Sequence, residues 1–335
     1  MKKIFFILGL FCICSYSAHA QQTITVSNNT AFDADYDNLK DAIDADNAGD
    51  IIMIQGSSGP YSIASSPPDT IDKAVLIYGP GYFLGVNENS NQYNNTGAIF
   101  DDIVIMAEGV YVSGLDIDFV DIYANNVVVQ RNRINGIRLN SSNNVAILQN
   151  YIESYVTGVN ASIGINGICD GLLIANNLFT TSASVANIYN YSNSSGSGIV
   201  RYNTFTRGAH MNNTVYENNI FLTGVPSANV NLGNSFFNNI FSISFTALTD
   251  INNNKEGVGT DLFIETTNSL DANYQVADGT AADNAAIDET DCGAFGGSEP
   301  YILSGIPAIP QIYFFSVPTA TSQDLNVNVK VRTNN

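Results

Sequence analysis

Tryptophan is absent from this chain, and cations are scarce, with 12 lysine and arginine residues against 31 aspartate and glutamate residues. The lack of tryptophan argues against a tryptophan-lined cleft for stacking sugars, although tyrosine and phenylalanine are plentiful. The formal net charge of −19 repels nucleic acids and anionic membranes, so we expect no nucleic-acid partner. The same charge disfavours polyanionic glycans unless calcium bridges two negative partners. We therefore expect no cofactor. If one is needed, calcium is the only candidate.

Histidine, cysteine and long apolar runs are also scarce. His210 is the only histidine after residue 20, and a solitary histidine is more often a surface or turn residue than a catalyst. Cys169 and Cys292 are the only cysteines in that region; they form one disulfide or stay as two separate apolar side chains. No later stretch reaches the roughly 18 apolar residues that cross a bilayer, so we expect no membrane insertion.

The first twenty residues have the organisation of a cleaved export signal. Lys2 and Lys3 precede an apolar stretch, and Ala18-His19-Ala20 matches the pattern of a cleavage site. We predict that residues 1–20 are a signal peptide and that the protein is secreted or held at the cell surface. Removal of two lysines changes the net charge from −19 to −21, that is, 10 cations against 31 carboxylates.

A short phrase recurs through the middle of the chain: an asparagine followed two residues later by Ile or Phe. The asparagines are Asn132, Asn150, Asn177, Asn203, Asn219 and Asn239. The intervals between them are 18, 27, 26, 16 and 20 residues, so the unit repeats while its loops vary. A short strand-turn-strand unit cannot bury its own apolar face and must stack on copies of itself. We predict a structural ladder of inward-facing asparagines, since Asn tolerates left-handed turns and its amide both donates and accepts.

The two ends of the domain carry their own signals. We predict a helix from about Asp37 to Ala48, capped by Asp35 or Asp37, which would cover an exposed end of the stack. Residues 21–300 are predicted to form one domain, and residues 301–335 a C-terminal β tail or cap. The outward position after each ladder asparagine becomes apolar toward the C-terminus, so we predict that the tail folds over it or caps the open end. The alternative is that the tail begins a separate β-sandwich module.

These features together resemble the right-handed parallel β-helix proteins of the pectate-lyase-like superfamily, in the secreted form common in Bacteroidetes. The resemblance rests on the export signal, the helix and strand over 39–54, the turn over 78–85 and the asparagine repeats. It covers residues 23–310. It implies an all-β fold, a single-stranded right-handed parallel β-helix (β-solenoid) with an N-terminal capping helix and a short C-terminal β tail. Because that superfamily contains lyases, hydrolases, epimerases, binding proteins and adhesins, it implies architecture rather than chemistry.

Alignment of the repeats also predicts a charged patch on one wall. Asp116 falls over Arg133 and Asp121 over Arg138, and period-2 alternation points these side chains outward. The candidate binding residues are Asp116, Asp118, Asp121, Arg131, Arg133, Arg138, Tyr151 and Glu153. The patch is either a groove for a sugar acid, with Arg for the carboxylate and Tyr for stacking, or a ladder of surface salt bridges worth about 0.2–1 kcal/mol per pair.

No catalytic residue string of a hydrolase or lyase surrounds this patch, and the acidic residues over 250–291 lack the spacing of a calcium loop. We therefore assign no catalytic residue and no metal ligand. The sequence favours a monomeric, non-catalytic module that binds a polysaccharide or cell-surface glycan, or that is structural at a surface or in a matrix. The alternative is a polysaccharide-degrading enzyme, for which a lyase acting on uronate-containing glycans is favoured over a glycoside hydrolase.

Overall fold

The structure is a computed structural model, and it describes residues 21–61, 69–87, 89–153, 161–181, 186–191, 194–224, 233–244, 252–264, 270–317 and 327–333. The predicted signal peptide lies outside the described residues. One α-helix occurs in the described chain, α1 (Leu39–Ala45). The strands are β1 (Thr23–Val26), β2 (Ile51–Ile54), β3 (Asp69–Ile71), β4 (Leu76–Tyr78), β5 (Ile99–Ile105), β6 (Tyr111–Ser113), β7 (Asp116–Ile122), β8 (Val128–Gln130), β9 (Arg133–Asn140), β10 (Ala146–Leu148), β11 (Tyr151–Ile152), β12 (Ala161–Asn166), β13 (Ile168–Ala175), β14 (Leu178–Phe179), β15 (Ala186–Asn190), β16 (Ser195–Arg201), β17 (Thr204–Phe205), β18 (Ala209–His210), β19 (Thr214–Glu217), β20 (Ile220–Phe221), β21 (Ser235–Phe237), β22 (Ile240–Phe241), β23 (Lys255–Glu256), β24 (Gln311–Ser316) and β25 (Asn328–Arg332).

Two long parallel sheets dominate the structure. Sheet 1 has ten strands in the order β1-β2-β4-β6-β8-β10-β13-β16-β19-β21, and sheet 2 has thirteen strands. In sheet 2, β7 and β9 are single long strands, whereas later turns of the chain supply two shorter strands in their place, such as β11 and β12. Only β24 and β25 pair antiparallel among the named strands. The prediction of an all-β fold with long parallel sheets is confirmed, and the arrangement is consistent with a parallel β-helix.

Period-2 alternation in each strand produces a continuous core between the sheets. On sheet 1 the middle residues of successive strands, such as Val129, Ile147 and Ile174, lie in register and are fully buried. On sheet 2 four phenylalanines stack one above another: Phe179, Phe205, Phe221 and Phe241, with successive ring centroids 4.6, 4.8 and 5.1 Å apart. Identical positions in consecutive turns thus bury identical side chains, which is the contact that an isolated turn cannot make.

Helix α1 lies within the predicted range and buries Leu39, Ala42 and Ile43. Its N-cap differs from the prediction: the side chain of Asn38 accepts a hydrogen bond from the backbone N–H of Asp41 at 2.9 Å. Asp35 is not available for that role, because its carboxylate accepts from the backbone and side chain of Thr25. The cap prediction was therefore wrong in its residue.

The asparagines form a continuous hydrogen-bonded column between the two sheets. In each step the backbone N–H and the side-chain amide of one asparagine both donate to the next side-chain oxygen; from Asn150 to Asn177 these distances are 2.9 and 3.0 Å. The column has a seventh member, Asn254, which accepts from Asn239 at 2.9 and 3.0 Å. Asn254 does not match the predicted repeat, because Lys255 and Glu256 follow it instead of an apolar pair. The left-handed conformation belongs to the residue before each ladder asparagine, from Arg131 to Asn253, and not to the asparagine itself.

Residues 282–310, which we call the strap, run back along the outside of this corner. Side chains from the left-handed positions hold it. Asn176 donates to the carbonyls of Ala294 and Gly296 at 3.0 and 2.9 Å. Gln149 donates to those of Glu299 and Pro300, and Arg131 donates to that of Ile306 at 3.1 Å. The strap therefore passes the turns in reverse order, from late to early.

The strap and the residues before it cover the apolar stripe that the sequence predicted after the ladder. Leu178, Ile220 and Ile240 are fully buried, and the residues packed over the stripe include Leu262, Cys292, Ala294 and Tyr301. Tyr301, the first residue of the predicted tail, belongs to this cover, but no residue of β24 or β25 does among those that the structure describes. Strands β24 and β25 form a hairpin, and this hairpin lies against the loop at residues 91–93, where the N–H of Tyr93 donates to Ile312 at 3.0 Å.

A buried carboxylate ties the strap to the body. Asp271 is completely buried and accepts hydrogen bonds from the Asn87 amide at 2.9 Å, the Ser304 N–H at 2.8 Å and the Tyr301 hydroxyl at 3.2 Å. The Tyr301 hydroxyl also shares a hydrogen bond with that of Tyr82 at 2.5 Å. Three segments distant in sequence thus meet at one acidic side chain. The two cysteines remain separate buried thiols.

Candidate functional site

Arg133 is the centre of a closed ion cluster on sheet 2. Register pairs it with Asp116 on β7 and with Tyr151 on β11. Its Nη1 lies 2.8 Å from Asp116, and its Nη2 and Nε lie 2.5 and 3.1 Å from the two oxygens of Glu153. The Phe83 ring lies below the guanidinium, 5.4 Å from its carbon. Every nitrogen of Arg133 therefore already has a partner within the protein.

Burial and pairing act in opposite directions on the ionisation of this cluster. Burial raises the pKa of Asp116, and the charge of Arg133 offsets only part of that rise. Burial lowers the pKa of Arg133, but the hydrogen bonds with Glu153 and the charge of Asp116 outweigh it and leave the pKa above its usual value. The single cation of the cluster is thus held between two carboxylates, which is the arrangement expected of a strand-to-strand salt bridge.

Two predicted site residues are buried beneath the strap. Arg131 is 5% exposed and Tyr151 is 3% exposed. Arg131 donates through Nε to Gln149 at 2.8 Å, and burial lowers its pKa. Burial raises the pKa of Tyr151 to about 12. Neither side chain presents its polar group to a ligand on this wall.

The second predicted column is less completely hydrogen-bonded. Arg138 Nε lies 3.4 Å from Asp121 without the geometry of a hydrogen bond, and this buried atom has no hydrogen-bond partner. The guanidinium lies 5.3 Å from the centroid of the Phe119 ring. Asp118, the remaining predicted residue, is exposed and hydrogen-bonds to Asn135 on the adjacent strand. The Nε of Arg138 is thus not hydrogen-bonded, unlike that of Arg133, although the two arginine side chains are equally exposed.

The column of Arg138 continues over the next three strands of sheet 2. The sequence did not place the residues of these strands in the column. Gly164 pairs with Arg138 on one side and with Tyr189 on the other, and Tyr189 pairs with His210. The Tyr189 ring is 43% exposed and makes edge contacts with His210 at 6.3 Å and with Tyr191 at 6.4 Å. We call Arg138, Tyr189, Tyr191 and His210 the aromatic wall.

The aromatic wall escaped the sequence alignment for a geometric reason. When the repeats are aligned on the asparagine, equivalent positions in neighbouring turns can be matched only for the next few residues. Beyond them the loops differ in length and the alignment is lost. Residues 154–160 and 182–185 separate the asparagine step from β12 and β15, so no constant interval reaches Tyr189. The alternation Tyr189-Asn190-Tyr191 was the available signal, because it places two aromatic side chains on one face of a strand.

The wall is suited to binding rather than to proton transfer. Burial lowers the pKa of His210, so its imidazole is neutral near pH 7. Burial raises the pKa of Tyr191, so its phenol stays protonated. Among the described residues, no group of three or more His, Cys, Asp or Glu side chains is placed to hold a metal ion. The described residues also include no helix long and apolar enough to cross a membrane.

Comparison with known proteins found no family model that matches the chain and no matching curated protein.

Proposed function

We propose that this chain is a non-catalytic glycan-binding protein and that the aromatic wall of sheet 2 is its contact surface. The main observation in support of this proposal is that an exposed tyrosine, Tyr189, lies in the same column as Arg138 and Asp121. An aromatic face packs against the C–H face of a pyranose ring, and a neighbouring guanidinium and carboxylate hydrogen-bond its hydroxyls or carboxylate. The column extends over four strand spacings, roughly 19 Å, which accommodates several sugar units.

The wider interpretation of the chain supports this proposal. We interpret the parallel stack as a right-handed β-helix closed at its N-terminal end by α1, and the chain as a protein exported to the cell surface or beyond. A stack of this kind presents long, regular outer walls on which side chains repeat at about 4.8 Å. Extended polymers with a repeating unit are the class of ligand that such a wall fits.

A lyase is less well supported by the same geometry. Such an enzyme needs a base beside the uronate carboxyl group and a free cation to neutralise that group. Arg133 is already paired with two carboxylates. Tyr191 stands beside Arg138, but burial raises its pKa and so opposes its use as a base.

The proposal is tested by isothermal titration of the chain from Gln21 with neutral and uronate oligosaccharides. We expect Tyr189→Ala to weaken binding by roughly tenfold or more, as for a central aromatic contact. The matched control is Phe237→Ala, which removes another exposed aromatic side chain, on β21 of sheet 1. Equal affinity of both variants and the wild type would exclude the wall as the binding surface.

The same samples should be assayed for release of reducing ends, with and without calcium. We expect no release from any polysaccharide. Release that Arg138→Ala abolishes while the fold is retained would replace the binding proposal with an enzymatic one.

A further inference from the structure

The β24–β25 hairpin is the most exposed apolar element in the described structure. Eight of its large apolar side chains are between 38 and 55% exposed: Ile312, Tyr313, Phe314, Phe315, Val317, Val327, Val329 and Val331. A two-stranded hairpin is only marginally stable in water, and exposed apolar patches of this kind are normally covered. Its contacts with the body are confined to a few residues, including Tyr93, whose ring meets Phe315, and Asn91, which accepts from Arg332 at 2.7 Å.

The hairpin has two different faces. Pairing places Ile312 beside Val331 and Phe315 beside Val329, which makes one face wholly apolar. On the other face Lys330 lies 5.2 Å from the Phe314 ring and Arg332 lies 5.5 Å from the Tyr313 ring. Lys330 is exposed and forms no ion pair among the described residues. The described hairpin residues carry no carboxylate, so this is a cationic aromatic surface on a strongly acidic protein.

A complementary surface lies elsewhere on the molecule. A groove between the strap and sheet 1 is lined by Glu217, Asp288 and Glu299, with Arg201 as its single cation. Ile287 stands at its edge and is 73% exposed, the most exposed large apolar side chain described. The groove is therefore concave, acidic and apolar at its rim, whereas the hairpin is projecting, basic and aromatic.

We propose that the hairpin of one copy docks in this groove of a second copy, so that the protein associates head to tail. Charge selects this partner, because two bodies of net charge −21 repel each other except where Lys330 and Arg332 are presented. A symmetric pairing of two hairpins through these faces would instead bring the cations together. The two surfaces differ, so the interface is heterologous and each copy keeps one free hairpin and one free groove, which permits chains longer than a dimer. This departs from the monomer expected from the sequence.

Sedimentation velocity on the chain from Gln21 tests the proposal over concentrations up to about 0.5 mM. The comparison is between about 0.1 M and about 1 M salt, where the screening length falls from roughly 10 to 3 Å, because at lower salt the repulsion between the two acidic bodies would itself oppose association. We expect the sedimentation coefficient to rise with concentration at the lower of these two salt concentrations and to return to the monomer value at the higher. A monomer at every concentration, or association that strengthens with salt, would overturn the proposal.

Charge reversals locate the interface. Lys330→Glu and Glu299→Lys should each weaken self-association by at least about tenfold. The matched controls are Lys40→Glu on α1 and Glu108→Lys, exposed residues outside both surfaces, and these should leave it unchanged. A mixture of the two interface variants should recover association, because the unchanged hairpin of one fits the unchanged groove of the other and the two reversed charges also complement each other. An inert mixture, or a Lys330→Glu protein that associates as well as the wild type, would contradict head-to-tail docking.

Discussion

At the scale of single residues, the ladder asparagine and the residue before it have different structural roles in each turn. The ladder asparagine points inward and carries the amide column, whereas the residue before it takes the left-handed conformation and turns outward to the strap. At the third turn of the column these are Asn177 and Asn176. Asparagine suits both positions, since its amide satisfies two kinds of backbone group and its short side chain tolerates positive φ. This explains the Asn-Asn pairs at 176–177, 218–219 and 238–239.

We expect Asn177→Ala to lower the free energy of unfolding by about 3–5 kcal/mol. The substitution leaves the backbone and side-chain amides of Asn150 without their shared acceptor, and leaves the Ile147 carbonyl without its donor at 2.8 Å. Asn254→Ala is the matched control at the end of the column: Asn239 again loses its acceptor, but Asn254 is 8% exposed and the Phe236 carbonyl keeps a donor in Asn252, so this variant should cost clearly less. Denaturant unfolding measures both; equal losses would show that the column is not cooperative.

At the scale of elements, α1 is fastened at its C-terminal end by charge. Lys73 donates to the carbonyls of Ile43, Asp44 and Asp46 at 2.8, 2.8 and 2.9 Å, which are the groups that a helix end leaves unpaired. Asp46 and Asp50 are buried next to it. Burial, followed by its hydrogen bond with Asp50, raises the pKa of Asp46 to about 6, and the hydrogen bond with Asp46 lowers the pKa of Asp50 to about 2.

This pair predicts how stability depends on pH. Because the folded-state pKa of Asp46 lies above its ordinary 3.8, its contribution is fully present below about pH 4 and is lost as pH rises through about 6. Asp50 has the opposite sign, and its contribution is lost only as pH falls toward about 2. The variant Asp46→Asn has an uncharged amide at position 46 that can donate a hydrogen bond to Asp50 at every pH.

Thermal unfolding at several pH values tests this expectation. The Asp46→Asn protein should unfold at a higher temperature than the wild type above pH 6, and the difference should vanish near pH 4. Asp72→Asn, which removes an exposed carboxylate nearby, should show no such dependence. A constant difference from pH 4 to pH 7 would count against a proton shared by Asp46 and Asp50.

At the scale of the whole molecule, the strap joins turns that have no direct contact with one another. It touches the late turns at Asn238 through Cys292 and the early turns at Arg131 through Ile306. Near its far end Tyr301 and Ser304 donate to the Asp271 carboxylate in the buried polar cluster, which also includes Tyr82 and Asn87. The stack is therefore held both by contacts between neighbouring turns and by one segment that spans many of them.

Truncation separates the strap from the hairpin. A chain ending at Pro310 lacks the hairpin and should fold, with the apolar stripe still covered. A chain ending at Pro300 loses Tyr301 and the Ser304 N–H, so Asp271 is left buried with two donors missing; we expect a further loss of about 3–5 kcal/mol and a tendency to aggregate. Size-exclusion chromatography and denaturant unfolding of the two chains provide the comparison. Equal stability would mean that the end of the strap does not fasten the stack.

The sequence alone determined the features that recur along the chain. An apolar residue, an asparagine and another apolar residue at fixed spacing specify a turn that stacks on its neighbours, and so predict the parallel sheets and six members of the column. The pairing of Asp116 with Arg133 and of Asp121 with Arg138 could be read from the same alignment, because only 17 residues separate each pair. A repeating sequence pattern of this kind specifies the contacts between one turn and the next.

Only the tertiary structure decided what lies outside the stack. Arg131 meets Ile306 across 175 residues, and no periodic signal links them, so its burial and that of Tyr151 could not be foreseen. The same holds for Tyr189, which reaches the column of Arg138 only after loops of unequal length. Stacking is specified by local repetition, whereas the covering of a wall depends on a single non-repeating segment whose path is set by the side chains it buries.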